Sequence, residues 1–197
     1  GGCVRDLIRG VTPQDFDIVT SARPEEVRPL FERTVPVGAR FGVVLVIERG
    51  CPYEVATSRV ETGYDDGRHP PQVVFATAEE DVHRRDFTVN GLLMDPETGR
   101  IIDYVDGRRD IERRLIRTIG DPDERFSEDH LRMLRAVRFT ATLGFTLDTE
   151  TLAAIQRQAS SIGRISAERI REELNRILTS SRARDGMELL TESGLLA

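Results

Sequence analysis

The pattern of the chain changes at Gly120–Asp123, and that change limits the folds open to it. Before it, short apolar runs alternate with turn residues. "FGVVLVI" (Phe41–Ile47) is a continuous apolar run of strand length, and "DFDIVT" (Asp15–Thr20), "YEVATS" (Tyr53–Ser58) and "IIDYV" (Ile101–Val105) read as further strands. Gly50 and Pro52 in "RGCP" supply a hairpin loop, "DPETGR" (Asp95–Arg100) is a turn, and "TGYDDGRHPPQ" (62–72) is a loop. Glu25–Phe31 reads as a short helix. After the change the apolar residues recur at helical spacing. Ser127 is expected to cap a helix over 128–143 that Gly144 stops. Helices over 149–160, 167–179 and 182–193 follow, with Ser166 as the cap of the second. The expected architecture is an α+β head over 1–120, a mixed sheet flanked by helices, and then an all-helical segment over 121–197.

A chain of 197 residues can bury a substantial core in one large or two small domains. No apolar run approaches the roughly 18 residues of a membrane-spanning helix, and no signal peptide is visible. Cys3 and Cys51 lack metal-ligand spacing, so a reducing cytoplasm is the expected setting. A net charge of -6 argues against a general nucleic-acid binder. Yet all 28 basic residues are arginine, which grips phosphates and base edges through two donors at once. Local basic clusters therefore count for more than the total.

Asp15 and Asp17 are one residue apart. On a strand, positions i and i+2 point to the same face. Two carboxylates side by side suit a hard divalent cation such as Mg²⁺, although a solvated strand or turn has the same spacing. Glu54, on a later strand, could supply a third carboxylate for a two-metal phosphoryl-transfer site. Just upstream, "GGCVRD" places Gly1 and Gly2 where a backbone can approach an anion closely, and Arg5 where a guanidinium can meet phosphate oxygens. "SEDHLRMLRAVRF" (Ser127–Phe139) adds a row at steps of three: Asp129, Arg132, Arg135 and Arg138. Such a row is either a solvated helix face or a set of groups holding something charged and planar.

In order, five stretches resemble the motifs of the tRNA nucleotidyltransferase and poly(A) polymerase family, in its bacterial (class II) branch. "GGCVRDLIRG…QDFDIVTSA" resembles the first, with its metal-binding aspartates. "RRDFTVNGLLMD" resembles the second, which handles the ribose. "DYVDGRRDIERRLIRTIGDP" resembles the third, "EDHLRMLRAVRF" the fourth, which reads the incoming base, and "SAERIREEL" the fifth. The resemblance implies a polymerase β-like nucleotidyltransferase head and a helical neck. It implies Mg²⁺-dependent transfer of CMP or AMP from CTP or ATP to a tRNA 3′ end, with release of pyrophosphate. No membrane and no protein partner are implied. In this reading Asp15 and Asp17 bind the metals, and Glu54 completes the metal shell or helps deprotonate the attacking hydroxyl. Arg85, Asp86 and Asn90 belong to the second motif. Asp86 and Asn90 are four apart, so they are expected to share a helix face and meet the ribose hydroxyls.

Cytosine and adenine both present an exocyclic amine donor beside a ring-nitrogen acceptor, and uracil and guanine present the reverse. Asp129 as acceptor and Arg132 as donor fit the first pair and reject the second. Arg135 and Arg138 would then fan towards the phosphates or brace Asp129. Family members that add only CC lack a flexible loop between the first two motifs, so the loop-like segment at Arg59–Phe75 implies, through the resemblance, an enzyme that adds the terminal A. A bacterial poly(A) polymerase is the alternative within the same chemistry. A module that only senses nucleotides fits less well with Asp15, Asp17, Asp129 and Arg132 all present. Ser58 stands where the family usually has an aromatic residue and His130 where it has proline, and both leave the exact specificity open. Family members also carry a strand before the double glycine and helical body and tail domains after the neck, the tail gripping tRNA. This chain alone is therefore expected to bind nucleotide better than tRNA.

Overall fold

The computed structural model describes residues 1–35, 42–62 and 72–196. Most of the expected 62–72 loop lies outside them. The described residues divide into two units. One comprises 1–35, 42–62, 72–85 and 90–105, and the other 86–89 and 106–196. The sequence placed the boundary near 120; here 106–120 and the short stretch 86–89 cluster with the helices.

The first unit begins with α1 (Gly2–Ile8), β1 (Asp17–Thr20) and α2 (Pro24–Val27). The expected helix over 25–31 is shorter, because it passes into a 3-10 turn at Arg28–Leu30 that carries Pro29. β2 (Thr34–Val35), β3 (Val43–Glu48) and β4 (Cys51–Thr57) complete a mixed sheet of order β1-β4-β3-β2, in which only the β1–β4 pair is parallel. Arg49 and Gly50 join β3 to β4 with φ of 49° and 81°. Two consecutive positive φ values make the mirror-image hairpin turn that matches strand twist. Val44 and Val46 alternate inward along β3 and meet Val27 and Val55 in a core cluster. β5 (Arg59–Thr62) pairs with β6 (Gln72–Phe75), α3 (Ala78–His83) follows, and β7 (Leu93–Met94) pairs with β8 (Ile101–Ile102). Between the last two, Asp95 closes the expected turn by accepting from the Glu97 and Thr98 amides at 2.9 and 3.3 Å.

The second unit contains α4 (Gly107–Arg113), β9 (Leu115–Ile116), α5 (Pro122–Glu128), α6 (Leu131–Leu143), β10 (Thr146–Leu147), α7 (Thr149–Gln158), α8 (Ala167–Leu178) and α9 (Ala183–Glu192). Pro122 is the last proline of the chain, so nothing after it removes a helical N–H. Gly144 ends α6 in the left-handed conformation, φ 67°, as expected of a helix-stopping glycine. Met133, Leu134, Ala136 and Val137 on α6 are fully buried, as are Ile155 on α7, Ile177 on α8 and Leu190 on α9. Each such large side chain contributes on the order of 1.5–3 kcal/mol. Gly186 sits where α9 meets α8 and α6. A Cβ there would lie 2.5 Å from Ile177 Cγ2 and 3.2 Å from Ala141 Cβ, so only glycine permits this approach.

One expected helix is two. Ser127 does not cap 128–143; it lies inside α5, its hydroxyl donating to the Asp123 carbonyl at 2.8 Å. Asp121 and Pro122 make the stronger start. The Asp121 carboxylate accepts from the Asp123 and Glu124 amides, and Pro122 occupies the first helical position. The chain breaks at Asp129, with φ -146°, and α6 starts afresh. Among the described residues, no helix is long and apolar enough to cross a membrane.

Candidate active site

In the first unit the parallel register sets Asp17 directly beside Glu54, so their exposed side chains share one face of the sheet. Asp15 is also exposed and lies just before β1 in an extended segment. Among the described residues, none of these carboxylates forms a salt bridge, and no three His, Cys, Asp or Glu side chains come together to hold a metal. The three carboxylates of the sequence reading are therefore not a closed metal cage.

Gly1, Asp17 and Arg85 do converge. A Cβ on Gly1 would lie 3.5 Å from Arg85 Nη1 and 3.9 Å from Asp17 Oδ2. The three residues line a cleft of about 420 Å³, whose other walls include Phe16, Ile18 and Met94. Gly2 lies against the Arg5 guanidinium, a Cβ there falling 3.5 Å from Nη2. Arg5 itself is buried. Its Nε and Nη2 donate to the two oxygens of Asp6 at 2.9 and 3.0 Å, and its Nη1 donates to Asn90 Oδ1 at 2.6 Å. Arg5 is thus a brace for Asn90 and not an open hand for phosphate. Ser58, buried where an aromatic was expected, lines the cleft and ties its amide to the Thr20 carbonyl at 2.9 Å.

Asp86 and Asn90 do not share a helix face. Residues 86–90 run through a bend, an isolated bridge from Phe87 to Thr118 and a 3-10 turn. Phe87, Thr88 and Val89 are all fully buried there, so three consecutive side chains turn inward and the stretch is not the exposed face of a surface α-helix. Asp86 belongs to the second unit, where its Oδ2 accepts from Arg135 Nε and Nη2 at 2.9 and 2.5 Å. Thr88 donates to buried Asp110 at 2.6 Å, and Arg117 donates to the same oxygen at 3.0 Å.

The charged row at the start of α6 is not a solvated face. Every member has an opposite partner from another position. Asp129 Oδ2 accepts from Arg169 Nη2 of α8 at 2.9 Å, and its Oδ1 accepts from the Leu131 amide at 3.0 Å, capping α6. Arg132 Nη1 donates to Glu128 Oε2 at 2.6 Å and to the Arg125 carbonyl at 3.1 Å. Arg135 holds Asp86. Burial acts against its charge, but Asp86 outweighs this and the guanidinium is held above its usual pKa. Arg138 lies 2.7 Å from Glu173 of α8, with its Cζ 4.1 Å from the Phe139 ring centre. Burial dominates there and lowers Arg138 to about 10, with Glu173 opposing. His130, where proline was expected, begins α6 with a buried Nδ1 that has no hydrogen-bond partner among the described residues. Arg169 and Glu173 were not singled out from the sequence. The signal was present in "SAERIREEL": two opposite charges four apart on one helix face, complementary to Asp129 and Arg138.

Fold and site together define a nucleotidyltransferase-type α+β unit joined in sequence to a helical unit. The chain matches the family described as the poly A polymerase head domain over residues 1–117, and the family described as the probable RNA and SrmB-binding site of polymerase A over 144–197, and it belongs to the poly(A) polymerase head-domain family. It is 48% identical to the CCA-adding enzyme of Geobacillus kaustophilus over 198 residues, covering 100% of this chain and 49% of that protein. It is 47% identical to the CCA-adding enzyme of Geobacillus thermodenitrificans, covering 99% of this chain and 48% of that protein. The crystal structure of the Bacillus stearothermophilus CCA-adding enzyme in complex with CTP superposes with a TM-score of 0.92 at 44% identity, covering 99% of this chain and 47% of that one. The mixed-sheet fold with following helices, expected from the sequence, is the fold observed. The chain spans about half the length of the curated relatives it matches.

Proposed function

We propose that this chain is the nucleotide-handling half of a cytoplasmic tRNA nucleotidyltransferase that adds CCA or the terminal A to tRNA 3′ ends. The observation that carries the reading is the convergence of Gly1, Asp17 and Arg85 on one cleft. Glycine, a carboxylate without an ion pair among the described residues and a guanidinium are the donor set for a metal-bound triphosphate. The relatives' names and the CTP complex of the Bacillus stearothermophilus enzyme support the same reading.

Mg²⁺ characteristically takes one or two carboxylates and completes its shell with substrate phosphates and water. Asp17 and Glu54, adjacent and without ion pairs among the described residues, with Asp15 two residues upstream, suit that arrangement better than a cage built from protein alone. Asp15 and Asp17 would hold the metal, with Glu54 beside them; bound there, Mg²⁺ lowers the pKa of the attacking hydroxyl and neutralises charge on the triphosphate. Gly1 and Gly2 leave the α1 backbone open to close approach, and Arg85 faces the same edge. Asn90, braced by Arg5 in the first unit, carries a ribose contact. The tRNA 3′-hydroxyl attacks the α-phosphorus, its oxygen forms the new ester, and pyrophosphate leaves. Positioning and charge stabilisation are the protein's main contributions.

Asp129 and Arg132 carry base selection. Arg169 fixes the Asp129 carboxylate and Glu128 fixes the Arg132 guanidinium, so both groups are pre-aimed instead of waving in water. A base with the wrong edge would face donor with donor and acceptor with acceptor. Arg135 and Arg138, anchored on Asp86 and Glu173, support this pair and do not read the base themselves.

The test offers the full-length protein three tRNAs, ending before CCA, after C and after CC, with CTP and ATP. The expected result is completion of all three to CCA, which marks a CCA-adding enzyme, or addition of A to the tRNA ending in CC alone, which marks an A-adding one. A long A tail on any RNA would move the chain to the poly(A) polymerases. Failure to incorporate either nucleotide would sink the proposal.

A further inference from the structure

Asp81 takes no part in the scheme above, yet its side chain is only 3% exposed. It lies on α3 and gathers two arginines. Its Oδ1 accepts from Arg84 Nε and Nη2 at 3.0 and 2.7 Å, and its Oδ2 accepts from Arg85 Nε and Nη2 at 3.2 and 2.8 Å. The Arg59 amide points at Oδ1 from 3.4 Å, tying the start of β5 to the same carboxylate. Burial pushes the Asp81 carboxyl up, but the two guanidinium groups outweigh it and hold it below its usual pKa, so it is ionised at neutral pH.

With Nε and Nη2 of Arg85 both on one oxygen, the plane of the guanidinium is set. The remaining nitrogen, Nη1, donates to the Asn90 carbonyl at 3.3 Å and lies 3.5 Å from the point where a Gly1 Cβ would stand. Arg84 uses the opposite oxygen of Asp81 and does not line the cleft.

We infer that Asp81 is a positioning residue for nucleotide binding: it locks the Arg85 fork so that Nη1 is presented to the phosphates of the incoming nucleoside triphosphate at the Gly1–Asp17 edge of the cleft. The inference rests on the functional reading above. A point charge on a flexible stem could not pair with Asp81 and face the cleft at once, which distinguishes arginine from lysine at position 85.

The experiment measures KM for ATP and CTP, KM for tRNA, kcat and thermal stability of the full-length protein. The variants are Asp81→Asn, Arg85→Ala, the double variant, Arg84→Ala and Arg85→Lys. Asp81→Asn and Arg85→Ala should each raise nucleotide KM by about tenfold with tRNA KM unchanged, the size expected for one charge-assisted contact. The double variant should be no worse than Arg85→Ala, because Asp81 acts through Arg85. Arg84→Ala should keep wild-type nucleotide KM. Arg85→Lys, which does not remove the buried carboxylate, should raise nucleotide KM as Arg85→Ala does; this arm decides the matter if Asp81→Asn does not fold. Additive losses in the double variant, or a wild-type nucleotide KM for Arg85→Lys, would overturn the inference while leaving the functional reading intact. Wild-type protein that transfers no nucleotide would overturn both.

Discussion

Replacing Arg138 by methionine, with Glu173 left in place, should destabilise the helical unit strongly. The two side chains are 11% and 7% exposed, so water cannot take over from either partner. Leaving a buried carboxylate without its cation costs about 3–5 kcal/mol. Methionine recovers part of the apolar contact but loses the guanidinium stacked on Phe139, worth roughly 0.5–1 kcal/mol. The pair is close at 2.7 Å but poorly directed: neither Arg138 Nε nor Glu173 Oε2 completes a hydrogen bond. The expected loss therefore sits near 3 kcal/mol, a fall in Tm of roughly 6–12 °C at about 2–4 °C per kcal/mol. Glu173→Met alone should cost a similar amount, because it strands the buried arginine. Arg138→Met with Glu173→Met should return close to wild type, since an apolar pair of similar volume removes two desolvation costs together. Urea unfolding of the full-length protein, followed by circular dichroism in the helical region, measures each term. Single variants that lose less than about 1 kcal/mol, or a double variant that loses the sum of both, would refute a buried and coupled pair.

Arg132→Ala should relax the rejection of UTP and GTP in single-nucleotide incorporation assays by tens of fold while leaving the dependence on Mg²⁺ unchanged; retained discrimination would remove Arg132 from base reading. Gly186→Ala should lower stability by roughly 1–2 kcal/mol in thermal unfolding, because overpacking against Ile177 outweighs a gain near 1 kcal/mol in helix propensity. Ile177→Leu, which removes the clashing methyl, should soften that loss. Asp81 has a carboxyl pKa lowered on folding, so its stabilisation is full above the unfolded value of about 3.9 and is lost as pH falls through the folded value. Wild type should therefore lose more stability than Asp81→Asn between neutral pH and pH 3 in acid titrations, and parallel curves would contradict the paired carboxylate.

The strands at 17–20, 43–48 and 51–57 were legible as short runs of strand-forming residues, with Gly50 and Pro52 marking the hairpin between the last two. Other short strands were not: β5 and β6 lie inside the Arg59–Phe75 stretch read as a loop, and the strand expected over 101–105 is only Ile101–Ile102. Glu54 could be placed beside Asp17 because β1 and β4 are neighbours of strand length, and the register bears out that placement. The start of α6 was misjudged, because a serine followed by apolar periodicity looks like a cap. The Asp121–Pro122 start lay nearly two turns earlier, and at the break the Asp129 carboxylate turns back to the Leu131 amide. Asp86 and Asn90 were misplaced for a different reason. Spacing of four implies a shared face only on a regular α-helix, and residues 86–90 pass through a bend and a bridge into a 3-10 turn at Thr88–Asn90. Arg5 illustrates a third kind of limit. Composition identifies an anion-binding group but cannot show that Asp6 and Asn90 already occupy it. The spacing in "SAERIREEL" shows that Arg169 and Glu173 share a helix face, but that they meet Asp129 and Arg138 follows from tertiary packing.

The pairing of Asp129 with Arg169 and of Arg138 with Glu173 also has a consequence for how this chain can change over time. A single substitution at any of the four positions strands a charge, so inherited change there must pass through a weakened intermediate or arrive as two exchanges. Among related chains the two helices should therefore drift together, an altered charge on α6 being answered by its complement on α8. If the proposed base reading holds, redesigning the base preference meets the same ratchet, because Asp129 and its Arg169 anchor have to be exchanged together.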